Sequence, residues 1–85
     1  MNRVALIGMM VEDTECSKQI NEILHQYNQY IIGRMGIPNV KDDLNIISVA
    51  LDAPSDVMSA ISGKLGRING VTAKMIYSKL NDKEE

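Results

Sequence analysis

The residues of this 85-residue chain that could bind a soft metal are one cysteine and one histidine, Cys16 and His25. At about 100° per residue along a predicted helix, their spacing turns the two side chains to opposite sides, so they cannot share an ion within one chain. Such a site needs about three or four converging ligands, which here only an intersubunit site could assemble. We therefore predict no metal and no cofactor, with Cys16 buried and His25 on the surface, and leave an intersubunit site open.

The carboxylates and nucleophiles form no catalytic pattern. Glu12 and Asp13 are adjacent at the start of a predicted helix, whereas an acid/base pair needs opposed environments that sequence neighbours rarely have. No nucleophile has a visible base and orienting group. Gly63-Lys-Leu-Gly66 lacks the preceding strand and the Lys-Ser/Thr ending of a phosphate-binding loop. We predict that the chain is not an enzyme.

Two segments are candidates for binding a small polar ligand. One lies where an apolar strand meets a helix N-terminus, a position that favours anionic and hydrogen-bond-accepting groups. The other combines two glycines, which permit close approach, with an arginine that can pair with an anion. The candidate residues are Val11, Glu12, Asp13 and Thr14, and Gly33, Arg34, Met35 and Gly36. Helix capping by Asp13 or Thr14 is the simpler alternative for the first segment.

Ile31-Ile-Gly-Arg-Met-Gly36 also resembles the backbone-gripping loop of KH nucleic-acid-binding domains. In those domains the loop joins two helices, whereas the residues that follow here, Ile37-Pro38-Asn39 and Lys41-Asp42-Asp43, are neither helical nor basic. The net charge of −2 and the pI near 5.3 also disfavour a nucleic-acid footprint. We predict that both glycines are strand or bulge positions, and keep nucleic-acid binding as the least favoured alternative.

A doubled βαβ pattern positions these residues. Residues 4–11 and 44–51 are apolar runs that lead into amphipathic helices, and β-like segments at residues 30–35 and 71–77 follow those helices. Residues recurring at helical spacing predict the buried stripes, which are Cys16, Ile20, Ile23, Leu24 and Tyr27 in the first helix and Val57, Ile61, Leu65 and Ile68 in the second. We expect the second helix to begin at Pro54 or Ser55 and to end at Asn69-Gly70.

The sheet is expected to have an uncovered apolar face. In a split βαβ arrangement the first and third strands are central and both helices pack on one side. The other side then needs cover, and the candidate residues there are Ala5, Ile7, Met9, Ile46 and Ser48. Because an apolar open face marks an interface, we predict a homo-oligomer, a dimer or tetramer formed through this face or the edge strands. A domain of this size buries only about 60–65% of its unfolded surface, so assembly would add stability.

Length predicts a single domain over residues 1–80, followed by a solvated tail at residues 81–85. One cysteine cannot form an internal disulfide, and no apolar run approaches a membrane span or a cleavable leader. We therefore expect a cytoplasmic protein without membrane contact.

The run Tyr30-Ile-Ile-Gly-Arg-Met-Gly-Ile-Pro38, with Ile20-Asn-Glu-Ile-Leu-His-Gln-Tyr27 before it and Ser62-Gly-Lys-Leu-Gly66 after it, resembles the family of iron-only hydrogenase system regulators. The resemblance covers residues 3–79. It implies a ferredoxin-like fold close to ACT domains and to the C-terminal domain of the nickel-responsive repressor, and modules that sense small molecules and assemble through their sheets. ACT domains commonly have an Asp-x-x-Gly turn, but Cys16 and Ser55 stand at the glycine positions here.

We accordingly predict an α+β, ferredoxin-like βαββαβ fold, with a four-stranded antiparallel sheet in the order 4-1-3-2 and two helices on one face. The predicted function is a regulatory, small-molecule-sensing, ACT-like module that acts as a homo-oligomer linked to the iron-only hydrogenase system. The alternative is a structural or partner-binding oligomer subunit without an effector. The sequence leaves the effector and the partner protein unidentified.

Overall fold

A computed structural model describes residues 1–79 of the chain. The predicted tail and the last residue of the predicted domain lie outside this part. The strands and helices are β1 (Asn2–Val11), α1 (Ser17–Gln26), β2 (Ile31–Lys41), β3 (Leu44–Pro54), α2 (Ser55–Gly66) and β4 (Val71–Tyr77). Short 3₁₀ turns at Thr14–Cys16 and Asn28–Tyr30 flank α1. No helix among the described residues has both the length and the apolar character that crossing a membrane requires.

The strands form one antiparallel sheet in the order β2-β3-β1-β4, which is the predicted order read from the other edge. β1 pairs with β3 along its whole length and with β4 from Ala5 to Val11. Both helices contribute to the same buried core on one face of this sheet. The predicted α+β architecture is confirmed.

The core consists of alternate residues of the central strands and of one stripe from each helix. Its buried members are Ala5, Ile7, Met9, Val11, Cys16, Ile20, Leu24, Ile47, Val49, Leu51, Ala53, Met58, Ile61 and Leu65. The predicted helix stripes are confirmed as buried or partly buried. Met58 was missed because it lies beside the predicted stripe of α2 and is nevertheless fully buried.

The predicted open face is wrong for the three of its five residues that lie on β1. They are at most 3% exposed and lie beneath the helices: Ala5, Ile7 and Met9. Ile46 and Ser48 lie on the opposite, uncovered face, because they pair with Met10 and Gly8 and paired residues share a face. β1 is apolar on both faces, so hydrophobicity alone could not show which set of alternate residues the helices cover.

β2 is longer than predicted, because it continues past residue 35 through Pro38 to Lys41. Pro38 lies on an edge strand, where a missing N–H is tolerated, within a register irregularity between Ile37 and Lys41. The backbone N–H of Asn39 donates to the Asn45 side-chain oxygen at 2.8 Å, which satisfies one group of that irregularity. A second irregularity separates Ile31 from Gly33. Both glycines of the 33–36 segment are strand positions, as predicted.

Gly63 lies within α2, and a Cβ added there would meet no atom within 4 Å. We expect Gly63→Ala to raise the free energy of unfolding by about 0.5–1 kcal/mol, because alanine has the higher helix propensity. The corresponding rise in Tm is roughly 2–8 °C for a domain of this size. Calorimetry measures it directly. An unchanged or lower Tm would contradict this expectation.

Candidate functional site

The turn after β1 is held by its own hydrogen bonds. The Asp13 carboxylate accepts the Glu15 backbone N–H at 3.0 Å, so Asp13 caps the 3₁₀ turn. The Glu12 N–H donates to the Gly70 carbonyl at 2.7 Å and ties this turn to the start of β4. Of the predicted ligand residues here, Glu12, Asp13 and Thr14 are exposed, but Val11 is fully buried, so its side chain is not available to a ligand.

A depression of about 520 Å³ borders this turn. Its lining residues are Asp13, Glu15, Cys16, Lys18, Gln19, Arg67, Ile68 and Asn69. Two carboxylates face two cations here, so the depression has no net preference for an anion or a cation. Capping therefore remains the simpler interpretation of Asp13, as the hydrogen bond to Glu15 indicates.

Cys16 is a buried thiol that donates from Sγ to the Asn69 carbonyl at 2.8 Å. Burial, reinforced by the nearby carboxylates of Asp13 and Glu15, raises the pKa of this thiol above its ordinary value of 9.0. His25 is exposed on α1, as predicted. Within residues 1–79 no group of three or more His, Cys, Asp or Glu side chains could hold a metal ion.

We expect Cys16 to react slowly with iodoacetamide in the native protein, because the thiolate is the reactive form and the side chain is 6% exposed. Native protein at neutral pH should react at least about a hundredfold more slowly than protein unfolded in guanidinium chloride. Since the folded state favours the protonated thiol, stability should be retained below pH 9.0 and fall as the pH rises above it. Equal native and unfolded labelling rates would contradict the buried thiol.

The second candidate segment contributes to a separate pocket of about 220 Å³ between β2, the start of β3 and the first half of α1. The pleat divides the segment, so that Arg34 and Gly36 lie on the helix side of the sheet while Gly33 and Met35 lie on the open face. The pocket is lined by Ser17, Asn21, Arg34, Gly36, Ile37, Pro38, Asn45, Ile46 and Ile47. Neither of these two pockets, both lined by residues within 1–79, includes residues from both predicted ligand segments.

Arg34 is the charged group of this pocket. Its Nη2 donates to Asn21 Oδ1 at 2.6 Å, and among residues 1–79 it has no ion-pair partner. A guanidinium carries five N–H donors, so most of its donor capacity remains for a ligand. Ser17 and Asn21 were missed from the sequence, although their spacing of four residues puts them on one face of α1.

The uncovered face of the sheet is rich in exposed apolar side chains. Six large apolar side chains on this face are 41–66% exposed: Val4, Leu6, Met10, Met35, Ile37 and Ile76. A seventh, Ile46, is partly buried. The register places small residues towards its middle, namely Gly8, Gly33, Ser48 and Ala50. We refer to these eleven residues as the open apolar face. From strand spacing and rise, the face measures about 20 Å by 30 Å, or about 600 Å².

The fold and these surfaces define a small ferredoxin-like α+β protein with one uncovered apolar sheet face and a small cationic pocket at the β2 edge. The chain belongs to the TM1266-like family of iron-only hydrogenase system regulators, whose family model matches residues 3–75. The resemblance noted from the sequence is thereby confirmed.

Solved structures support the same placement. The chain is similar to TM1266 from Thermotoga maritima, an uncharacterized protein, with 32% identity, a TM-score of 0.87, and coverage of 93% of this chain and 100% of that one. CutA1 from Ehrlichia chaffeensis, a divalent ion tolerance protein, matches with 14% identity and a TM-score of 0.51 over 98% of this chain and 88% of that one. This second likeness shows the fold alone. Comparison with proteins of curated function gives no match.

Proposed function

We propose that this chain is a non-enzymatic, ACT-like regulatory module that assembles into a homo-oligomer through the open apolar face and senses a small molecule. The family to which it belongs is described as regulators of the iron-only hydrogenase system, and the proposed role lies in that system. The observation that carries the proposal is the exposure of seven large apolar side chains, fully or in part, on one side of the sheet. Soluble monomers rarely leave an apolar patch of this extent without a function.

A second copy of the chain is the occupant that fits this face best. Two faces of about 600 Å² bury about 1,200 Å² together, which is the lower limit for a specific, stable interface. The register puts two cations, Lys41 and Lys74, and one carboxylate, Asp52, on this side of the sheet, so the charges there are few beside the apolar side chains. The small residues in the middle of each face leave room for the larger side chains of the other.

The pocket and the open apolar face share Ile37 and Ile46. A ligand in the pocket would lie against these two residues from the helix side of the sheet, whereas their side chains would face a second copy on the open face. This sharing gives a physical route by which ligand binding changes assembly, provided that the ligand binds the two assembly states with different affinities. Edge strand β2 suits such a role because ten of its eleven residues are exposed.

The rival function is an oligomer subunit that binds no effector and only supports a partner protein. The capping role of Asp13 favours this rival, since it removes one of the two predicted ligand segments from ligand binding. KH-like nucleic-acid binding is disfavoured by the structure, because Gly33 and Gly36 lie within strand β2 and not in a loop between helices.

A thermal-shift screen separates sensing from the rival. The screen would use amino acids, organic acids, nucleotides and metal ions on the wild type and on Arg34→Ala. We expect at least one class of small anion to raise the Tm of the wild type by about 2 °C or more when its concentration is well above Kd, and to raise that of Arg34→Ala much less. A flat screen of the wild type would favour the rival.

A further inference from the structure

The pocket at the β2 edge has a specific chemical character. Among residues 1–79 its polar lining includes one cation, Arg34, and no carboxylate, and Pro38 and Ile47 are apolar. Ile37 and Ile46 also border the pocket, although the register puts their side chains on the open face. Asn21, Asn45 and Ser17 add neutral hydrogen-bonding groups around the guanidinium. A site of this composition favours a ligand with a single negative charge and an aliphatic body.

We propose that this pocket binds a short-chain aliphatic monocarboxylate without a positively charged group, such as a branched fatty or 2-oxo acid. The inference rests on the proposed sensing function and names the class of its effector. A planar guanidinium binds a carboxylate through two parallel hydrogen bonds, and among the described residues 1–79 Arg34 uses only one donor.

The volume of the pocket limits the ligand. About 220 Å³ equals the liquid volume of roughly seven water molecules, and pockets for drug-sized ligands start at about 300 Å³. A nucleotide would therefore extend beyond the pocket. A carboxylic acid of about six to nine heavy atoms is of the right size.

The charge of the pocket separates carboxylates from other small molecules. A phosphate group carries up to about two negative charges near neutral pH, which one arginine does not balance. An amino acid brings an ammonium group, and no lining residue supplies a carboxylate to pair with it. The guanidinium therefore favours a plain or 2-oxo carboxylate over both classes.

Gly36 provides a way to close the pocket without touching its charge. Gly36 lines the pocket, and an added Cβ would meet no atom within 4 Å. Its φ is not in the left-handed region, so Gly36→Leu is compatible with the strand. The leucine would occupy the space that the aliphatic body of the ligand needs.

The test is an amide NMR titration of the full chain with 4-methylpentanoate, and with 4-methylpentanamide as the matched uncharged control. We expect saturable shifts at Ser17, Asn21 and Gly36 with the acid, with a Kd between about 0.1 and 10 mM, and little effect of the amide. Arg34→Ala and Gly36→Leu should each weaken binding roughly tenfold to a hundredfold.

Three outcomes would overturn the inference: no saturable shift with the acid, equal binding of the acid and the amide, or unchanged affinity in both variants. The oligomeric mass of the same sample is measured in parallel. A flat titration of an intact oligomer rejects the monocarboxylate and leaves the regulatory proposal standing, whereas a monomeric mass rejects the assembly on which that proposal depends. Unchanged backbone spectra away from the pocket would show that each variant is folded.

Discussion

Leu6→Lys is expected to convert the proposed oligomer into a folded monomer. Leu6 lies in the middle of β1 on the open apolar face, 41% exposed within one chain, so a lysine there costs the isolated chain little. In a two-fold assembly the substitution places two lysines in an apolar interface. At about 2 kcal/mol or more for each, the dissociation constant should rise by a factor of about a thousand. Sedimentation at micromolar concentration measures the change.

The neighbouring residue provides the matched control. Ile7 is fully buried beneath the helices, so Ile7→Lys puts an unpaired charge in the core and is expected to unfold the chain. Circular dichroism should therefore show a folded Leu6→Lys protein and an unfolded Ile7→Lys protein. If Leu6→Lys kept the wild-type mass, the open apolar face would not be the interface.

Gly70→Ala is expected to cause the largest loss of stability from a single added methyl group. Gly70 has φ +89°, and a Cβ there would lie 2.9 Å from Asp13 Cβ and 3.3 Å from Cys16 Sγ. The Gly70 carbonyl also accepts the Glu12 N–H, so the backbone cannot move away without breaking that bond. Backbone strain and the close contacts together should lower the free energy of unfolding by about 2–4 kcal/mol, measured by urea denaturation.

Gly66→Ala is the control for this prediction. Gly66 is the last residue of α2, its φ is not positive, and an added Cβ would meet nothing within 4 Å. Alanine at this position should leave the stability unchanged or raise it slightly. Equal effects of the two alanine substitutions would contradict the account of Gly70.

The fold could be predicted from the sequence because its periodicities are strong and consistent. The stripe containing Ile20 and Leu24 is buried as predicted, and the alternation in β4 marks it as an edge strand. The end of β2 was predicted wrongly at residue 35, since the strand continues to Lys41 and its irregular register at the sheet edge accommodates Pro38. A local sequence pattern does not show whether the neighbouring strand accommodates a proline.

The sites were less predictable. Arg34 and Gly36 were singled out by type as candidate ligand-binding residues, and they line one pocket. Their neighbours Ser17 and Asn45 reach this pocket through the packing of α1 on the sheet and through the β2–β3 hairpin, which no motif records. The sequence also could not show which alternate residues of β1 face the helices, since Leu6 and Ile7 are both large and apolar. Only the position of the helices distinguishes them.

The most direct test of assembly through the open apolar face is the mass of the wild-type chain by multi-angle light scattering, with Leu6→Lys beside it. The account predicts a wild-type mass of at least about twice the monomer mass of 9.4 kDa at micromolar concentration, and a monomer for the variant. A wild-type mass of 9.4 kDa under the same conditions would contradict it.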